Sequence, residues 1–472
     1  MAPGQEPHPS WKRVSESKWE QAYGFQDAFY GRIVGKAGES ALFLVASSMS
    51  IRFAGNISEE EQAMRLRNAW IQMRFLYPII AAVAHGKKRV YQSPVGMAEV
   101  HDWAARTFRV MGNATITDIW HNLVKTEQPT MHFIPKTHEL FLQAEHTHFD
   151  GRGGLHFWDE FFTLLVNPKP VTIGQDLGNL PGRSDDYVNT KERRPGRGVD
   201  LATHMLQALE VSPPETPISY HLTKTNKVPG HPLPPINSRA TFKFSPRDTS
   251  RINDACKDRN LSLVAVWHTA VVLASQDVQR EANAEPGSAY STCANFDLRR
   301  YFKDNHRRDS DKRAYIGNFH CVLPYKVKPN GRTFLEVAQD LTSFYRLGLQ
   351  DQPDIWAALR PMMEGIGESF SDGPPADTTP AVSSLGVLDH FVKRNYSGPA
   401  CECYIGDAWF GVTATGSWME SFIWLFQGSL VLNSCFNRIY YLDEEVDAFH
   451  SRVRSHIIQG LGLSNVLGDS RL

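Results

Sequence analysis

Between Asn167 and Asn237 the sequence is broken by PKP, LPGRSDD, KERRPGRG, SPPETP and HPLPP. Proline fixes φ and removes a backbone donor, so neither a long helix nor a central strand can run through such a stretch. Only a helical run near Asp200–Leu209 interrupts it. A chain of 472 residues is too long for one hydrophobic core, and this band divides it into two parts of similar size. The predicted organisation is an N-terminal half over 1–185, a linker over 186–238 and a C-terminal half over 239–472. A second proline- and glycine-rich loop, Ser371–Thr379, falls inside the C-terminal half.

Each half carries well-marked helix starts. Ser58 followed by Glu61 forms a capping-box pattern, and Met64, Ala69, Trp70, Met73 and Leu76 follow before Pro78 stops the helix. Ser245-Pro246-Arg247-Asp248 combines an N-cap, a proline at the first helical position and an early acid. Ser262 opens SLVAVWHTAVVLAS, apolar on nearly all sides, so its His268 reads as a core histidine. The halves also share a pattern: ELFLQAEHTHFDGR and SLVLNSCFNRIYYL both run from strand to turn, and FWDEFFTLL and DEEVDAFHSRV follow as helices. On that register His146 corresponds to Phe436 and Asp150 to Tyr440, as in a duplicated α/β unit whose first copy alone keeps a polar site.

The formal net charge of -1 gives no electrostatic footprint for nucleic acid or an anionic membrane. No apolar stretch is long enough to span a bilayer, and the N-terminus lacks a signal-peptide core. Six scattered cysteines show no CxxC spacing, so a reducing compartment without structural zinc is expected, with Cys401-Glu402-Cys403 as plain strand. The expected location is the cytoplasm, or the peroxisome, because Ser470-Arg471-Leu472 is close to a Ser-Lys-Leu address.

The chemistry gathers after the strand Glu139–His146. Leu140, Leu142 and Ala144 fall on one face by the two-residue period, and His146 continues it toward the interior. Asp150 and Gly151 follow, then Gly153 and Gly154, where glycine permits tight backbone turns. A histidine delivered into a protected cleft suits general-base catalysis, because its pKa lies near working pH.

His146-Thr147-His148-Phe149-Asp150-Gly151 contains HxxxDG and resembles the signature of the chloramphenicol acetyltransferase-like superfamily. That group includes BAHD acyltransferases, nonribosomal-peptide condensation domains and fungal trichothecene O-acetyltransferases. Asp297-Leu298-Arg299 resembles its DLR segment. Gly317-Asn318-Phe319-His320-Cys321-Val322-Leu323-Pro324 is similar to GNxxxxLP, and Ala381-Val382-Ser383-Ser384-Leu385-Gly386 resembles the strand that supplies an active-site hydroxyl. The last stretch and the closing strand and helix look most like the trichothecene 15-O-acetyltransferase type. Two departures stand out. Glu145 replaces the histidine that usually precedes the catalytic one in condensation domains, and WFGVTATGSWMESF stands where plant enzymes carry DFGWG.

The resemblance implies an α/β fold of two related domains, with mixed sheets flanked by helices and a tunnel between them. It implies acyl transfer, with acetyl the default, from acyl-CoA to a hydroxyl of a small secondary metabolite such as a fungal terpenoid or polyketide alcohol. His146 would be the base, Ser384 an oxyanion donor, and Asp150, Gly151 and Arg299 would shape the site. Gly317, Asn318, Ser383 and Trp418 would bind substrate. The chain is expected to act as a monomer with no resident cofactor, no metal, and no nucleic-acid or membrane partner. Two other readings stay open. One is a condensation-like fold that catalyses cyclisation or dehydration, or serves as a binding module. The other is a metal-dependent hydrolase using His146, His148 and Asp150, with His320 and His390 available as further ligands.

Overall fold

The structure, a computed structural model, describes residues 6–33, 38–188, 195–220, 235–282, 284–302, 315–350, 354–368 and 378–463. Ser470-Arg471-Leu472 and most of the Ser371–Thr379 loop lie outside the described residues. The chain forms two compact units, and these are not the two halves the proline-rich band suggests. The first comprises Met1–Thr190, Asp297–His320 and Leu388–Thr413; the second comprises Lys191–Phe296, Cys321–Val387 and Ala414–Leu472. Two late segments therefore return to the first unit. The predicted linker 186–238 is also corrected in part. Its helix Arg197–Leu206 belongs to the second unit, where Gly198 lies against the Ala357 backbone of helix Ile355–Glu368 and Ala202 is buried. Proline punctuation marks where regular structure stops, and a short amphipathic helix between two such stops can still be recruited into a core.

The first unit is built on a six-stranded mixed sheet. Its order is Asn395–Ser397, Glu402–Val412, Leu44–Phe53, Glu139–Glu145, Thr130–Ile134 and Phe108–Val110. All neighbours are antiparallel except the last pair. A smaller antiparallel sheet of four strands joins Trp11–Arg13, Lys18–Ala22, Lys88–Gln92 and Val83–His85. The strand Glu139–Glu145 is central and buried on both faces, so the two-residue period does not single out one apolar side. Helix Glu59–Leu76 begins as expected, with Ser58 Oγ accepting from the Glu61 N–H. Its Trp70 stacks on Trp103 at 5.4 Å and meets Phe157 of helix Gly151–Val166 edge-on at 5.9 Å.

The second unit has a four-stranded sheet in the order Ala381–Val387, Glu420–Phe426, Ser429–Asn437 and Asn237–Lys243. The first pair is parallel and the others antiparallel. One face packs on helices Leu263–Glu281 and Asp443–Gly460 through Trp267, Val271, Ile423, Leu432, Phe449 and Val453. His268 is fully buried, as a core residue, with Nδ1 3.0 Å from the Tyr345 hydroxyl. The strand–turn–helix pattern shared by the halves is present in both units, as Glu139–Glu145 into Gly151–Val166 and Ser429–Asn437 into Asp443–Gly460. In the second copy Phe436 is plain core.

Candidate active site

The strand Glu139–Glu145 ends in a turn closed by the His148 N–H on the Glu145 carbonyl at 2.9 Å, and this turn presents His146. Asp150 then caps helix Gly151–Val166: its Oδ1 accepts the Gly153 N–H at 2.6 Å, satisfying one of the orphan donors of the first turn. Its Oδ2 accepts from Arg299 Nη1 at 3.0 Å and from the Phe319 N–H at 2.6 Å. Arg299 in turn donates to the Tyr315 and Gly317 carbonyls, each at 2.9 Å, and to Asp297 Oδ1 at 2.9 Å. Both partners are buried. Burial, the largest single influence, would raise the Asp150 pKa, but the Arg299 guanidinium, His320 and the hydrogen bonds from Arg299 and the Gly153 N–H together outweigh it and hold the carboxyl at about 2. Arg299, and not its neighbour Arg300, is thus the partner, and together the pair hooks the Tyr315–Phe319 segment onto the start of the helix.

The glycines act through space. None of Gly151, Gly153 and Gly154 has a left-handed φ, and all three lie in the first turn of the helix, so the tight turn before it does not depend on them. A Cβ on Gly153 would lie 2.3 Å from the Gly317 carbonyl oxygen, whereas one on Gly154 would meet nothing within 4 Å. Gly153 lets the helix start seat against the Gly317 backbone, to which the Asp150 N–H donates at 3.2 Å. Gly317 is therefore engaged by the site's own backbone and by Arg299.

The His146 ring lies flat on Tyr30, with centroids 3.8 Å apart and planes 3° from parallel. A second imidazole, His320, sits 5.1 Å away and tilted by 40°. Nδ1 of His146 is buried with no hydrogen-bond partner; the residue's own carbonyl favours the protonated ring without the geometry of a full hydrogen bond. Burial, and next the neighbouring His320, push the His146 pKa down to about 3, against the attraction of Asp150. The imidazole is neutral across the physiological range.

A buried polar network supports this pair. His320 Nε2 is 3.0 Å from both the Tyr30 hydroxyl and the Gln26 amide nitrogen, and Nδ1 is 3.0 Å from Asn318 Oδ1. The Asn318 amide donates to Asp27 Oδ1 at 3.3 Å, and the same oxygen accepts from Arg89 at 2.6 Å. Arg89 also donates to the carbonyl of Thr147, next to His146, and to Gln21 Oε1 at 3.1 Å. Asn318, expected to bind substrate, is instead committed to this network. Gln26, Asp27 and Tyr30 come from helix Phe25–Ile33 and Arg89 from strand Lys88–Gln92, and sequence reasoning singled out none of them. The available signal was FQDAFY, where a glutamine and an aspartate stand among aromatic residues that must be buried.

His148 turns away. Its Nε2 is 2.9 Å from the Ala82 carbonyl, and burial first of all pushes its pKa to about 4. Among the described residues no three His, Cys, Asp or Glu side chains form a group that could hold a metal ion, so His146, His148 and Asp150 are not brought together as ligands. All six cysteines are unbridged.

The remaining predicted positions belong to the second unit. Ser384 pairs in register with Ile423 of the core, while Ser383 pairs with Phe422 and shares the opposite sheet face with Glu420. Trp418 donates its indole N–H to Glu420 Oε2 at 3.0 Å. Burial pushes the Glu420 pKa up to about 7, only partly offset by that donor.

No model of a known protein family matches the chain. The acetyltransferase pigO of Monascus ruber is 24% identical over 449 residues, covering 91% of this chain and 94% of its own length. The O-acetyltransferase pigM of the same organism is 24% identical over 406 residues, covering 83% of this chain and 75% of its own. Among solved structures, the trichothecene 15-O-acetyltransferase TRI3 of Fusarium sporotrichioides superposes with a TM-score of 0.79 at 15% identity, over 96% of this chain and 99% of that one. The chain shares the fold of that solved structure, and acyl transfer is the reaction class these relatives support.

Proposed function

We propose that this chain, which has the chloramphenicol acetyltransferase-like fold and fungal acetyltransferases as relatives, moves an acyl group, by default acetyl, from acyl-CoA to a hydroxyl of a small secondary metabolite. The observation that carries the reading is the neutral, buried imidazole of His146, stacked on Tyr30 beside a helix start pinned by Asp150 and Arg299. With Nδ1 shut away, Nε2 is the nitrogen left to meet a hydroxyl. An alcohol is too weak an acid to attack a thioester unaided at neutral pH. His146 takes the hydroxyl proton as the alkoxide oxygen bonds to the thioester carbon. The tetrahedral intermediate collapses by breaking the carbon–sulfur bond, and the departing thiolate receives the proton from the imidazolium. The ester and free CoA leave, and the imidazole is neutral again. The Asp150 carboxylate, which favours the charged ring, eases the step in which it is protonated.

The test mixes the purified protein with acetyl-CoA and a panel of alcohols and follows release of free thiol. His146→Ala should fold and lose about 10²–10⁴-fold in kcat, with KM for acyl-CoA little changed. His148→Gln, which can still reach the Ala82 carbonyl, should stay within a few-fold of wild type. The sequence alone suggests a rate that climbs through neutrality as the histidine loses its proton. The depressed pKa moves that limb to far lower pH, so the rate should be flat with respect to this group from pH 6 to 8. Full transfer activity in His146→Ala would count against this assignment, whereas a limb near pH 6.5 that disappears in that variant would keep His146 as the base and overturn its depressed pKa.

A further inference from the structure

The hydrogen bonds around His320 can run in only one sense, and that sense is set at the far end of the network. Asp27 Oδ1 receives an N–H of Arg89 at 2.6 Å, so it faces another group only as an acceptor. Asn318 must therefore turn its NH₂ toward that oxygen, 3.3 Å away, which aims its Oδ1 at His320 Nδ1, 3.0 Å away. An amide oxygen cannot donate, so Nδ1 of His320 carries the hydrogen. In a neutral ring Nε2 is then an acceptor, and two donors converge on it: the Tyr30 hydroxyl and the Gln26 NH₂, each at 3.0 Å. Gln26 Oε1 is left buried without a partner, as that orientation requires. Tyr30, held by its hydroxyl, presents its ring flat to His146 at 3.8 Å.

We infer that Asn318 and His320 are positioning residues, which lock His320 as the Nδ1–H tautomer so that Tyr30 is fixed as a plate against the His146 ring. The inference rests on the reading of His146 as the base. Charged groups facing the two imidazoles are Asp150 from the helix start, Arg299 and Asp297 from the end of strand Tyr290–Asp297 and the turn after it, and Asp27 and Arg89 behind Asn318. Burial, first among the causes, pushes the His320 pKa to about 4, which keeps the ring neutral and the lock in place at neutral pH.

Histidine-selective ¹⁵N labelling and a long-range ¹H–¹⁵N spectrum at pH 7 read the tautomer directly, with the His320 signals assigned by their loss in His320→Gln. The wild type should show His320 protonated at Nδ1 and bare at Nε2. Asn318→Ala should shift it toward the Nε2–H form. In the transfer assay Asn318→Ala and Tyr30→Phe should each lower kcat by between about tenfold and a hundredfold, through misplacement of the base, with KM for acyl-CoA unchanged. The double variant should be no worse than the poorer single one, because both break one line of hydrogen bonds. An Nε2–H tautomer in the wild type, an unchanged tautomer in Asn318→Ala, or additive losses would overturn the inference. If Asn318→Ala does not fold, the wild-type spectrum decides alone. Activity persisting in His146→Ala would instead strike the assignment of the base and leave the tautomer result standing.

Discussion

At the scale of single residues the site depends on charges held where water cannot screen them. Removing one member of a buried pair strands the other, at a cost of about 3–5 kcal/mol. Asp150→Ala and Arg299→Ala should each lose stability of that order, and the double variant should fall well short of their sum in denaturant titrations. Strict additivity would mean that the 3.0 Å contact carries no coupling. Glu420 is the opposite case, a carboxyl with a neutral indole donor. Its pKa in the fold, about 7, lies above the ordinary value of 4.5. Its contribution is therefore fully present below the unfolded pKa and is lost as pH rises toward 7. Glu420→Gln keeps an acceptor for Trp418 and removes the titration, so it should melt above wild type at pH 8, by the order of 2–3 kcal/mol, and match it at pH 4. A melting difference that does not change with pH would refute this. His146, Asp150 and Arg299 were legible because each sits in a short contiguous motif with a distinctive composition. Tyr30, Gln26, Asp27 and Arg89 were not, because helix Phe25–Ile33 and strand Lys88–Gln92 reach the site only through tertiary folding, and the polar residues of FQDAFY signal burial without saying what they face.

At the scale of elements the decisive contact is the start of helix Gly151–Val166 against the backbone of Gly317. A methyl group at Gly153 would overlap that carbonyl, and overpacking of this kind costs typically about 1–3 kcal/mol. Gly153→Ala should lower the melting temperature and depress activity, since the displaced segment carries Phe319 and His320. Gly154→Ala, with open space at its Cβ, should be neutral or slightly stabilising, because alanine suits a helix interior better by about 0.5–1 kcal/mol. Equal damage from both substitutions would show that helix flexibility, and not the close approach, is what glycine supplies. Helix starts at Ser58, Ser245 and Ser262 were readable because capping is local: each serine hydroxyl accepts from the N–H three residues on. Strand membership was not. Glu402–Val412 falls in the C-terminal half by sequence, and only its register opposite Leu44–Phe53 assigns it to the first unit.

At the scale of the whole molecule, six histidines among the described residues are buried in a neutral state. Burial lowers His146 and His268 to about 3, and His132, His148, His320 and His450 to about 4. Depressed histidines stabilise the fold above the unfolded value near 6.5, and that contribution is lost as pH falls toward the folded values. Each contributes about 1.4 kcal/mol per pH unit within that window. Glu145 and Asp27, with pKa values raised first by burial, offset part of it, as does Glu420. The fold should give way between about pH 6 and 4 in a circular dichroism titration, and retention of full structure at pH 4 would show that these imidazoles do not govern acid stability. The interleaving of the two units has a different consequence, for recombination. Trp409, encoded late, packs edge-on to Trp120 at 4.9 Å, and its strand lies beside Leu44–Phe53. A gene spliced once with a relative near residue 190 would pair one parent's strand with the other parent's sheet. Exchange of a unit as a heritable module therefore needs five junctions moved together, and single-crossover hybrids between such enzymes should be selected against at the step of folding, before catalysis is ever tested.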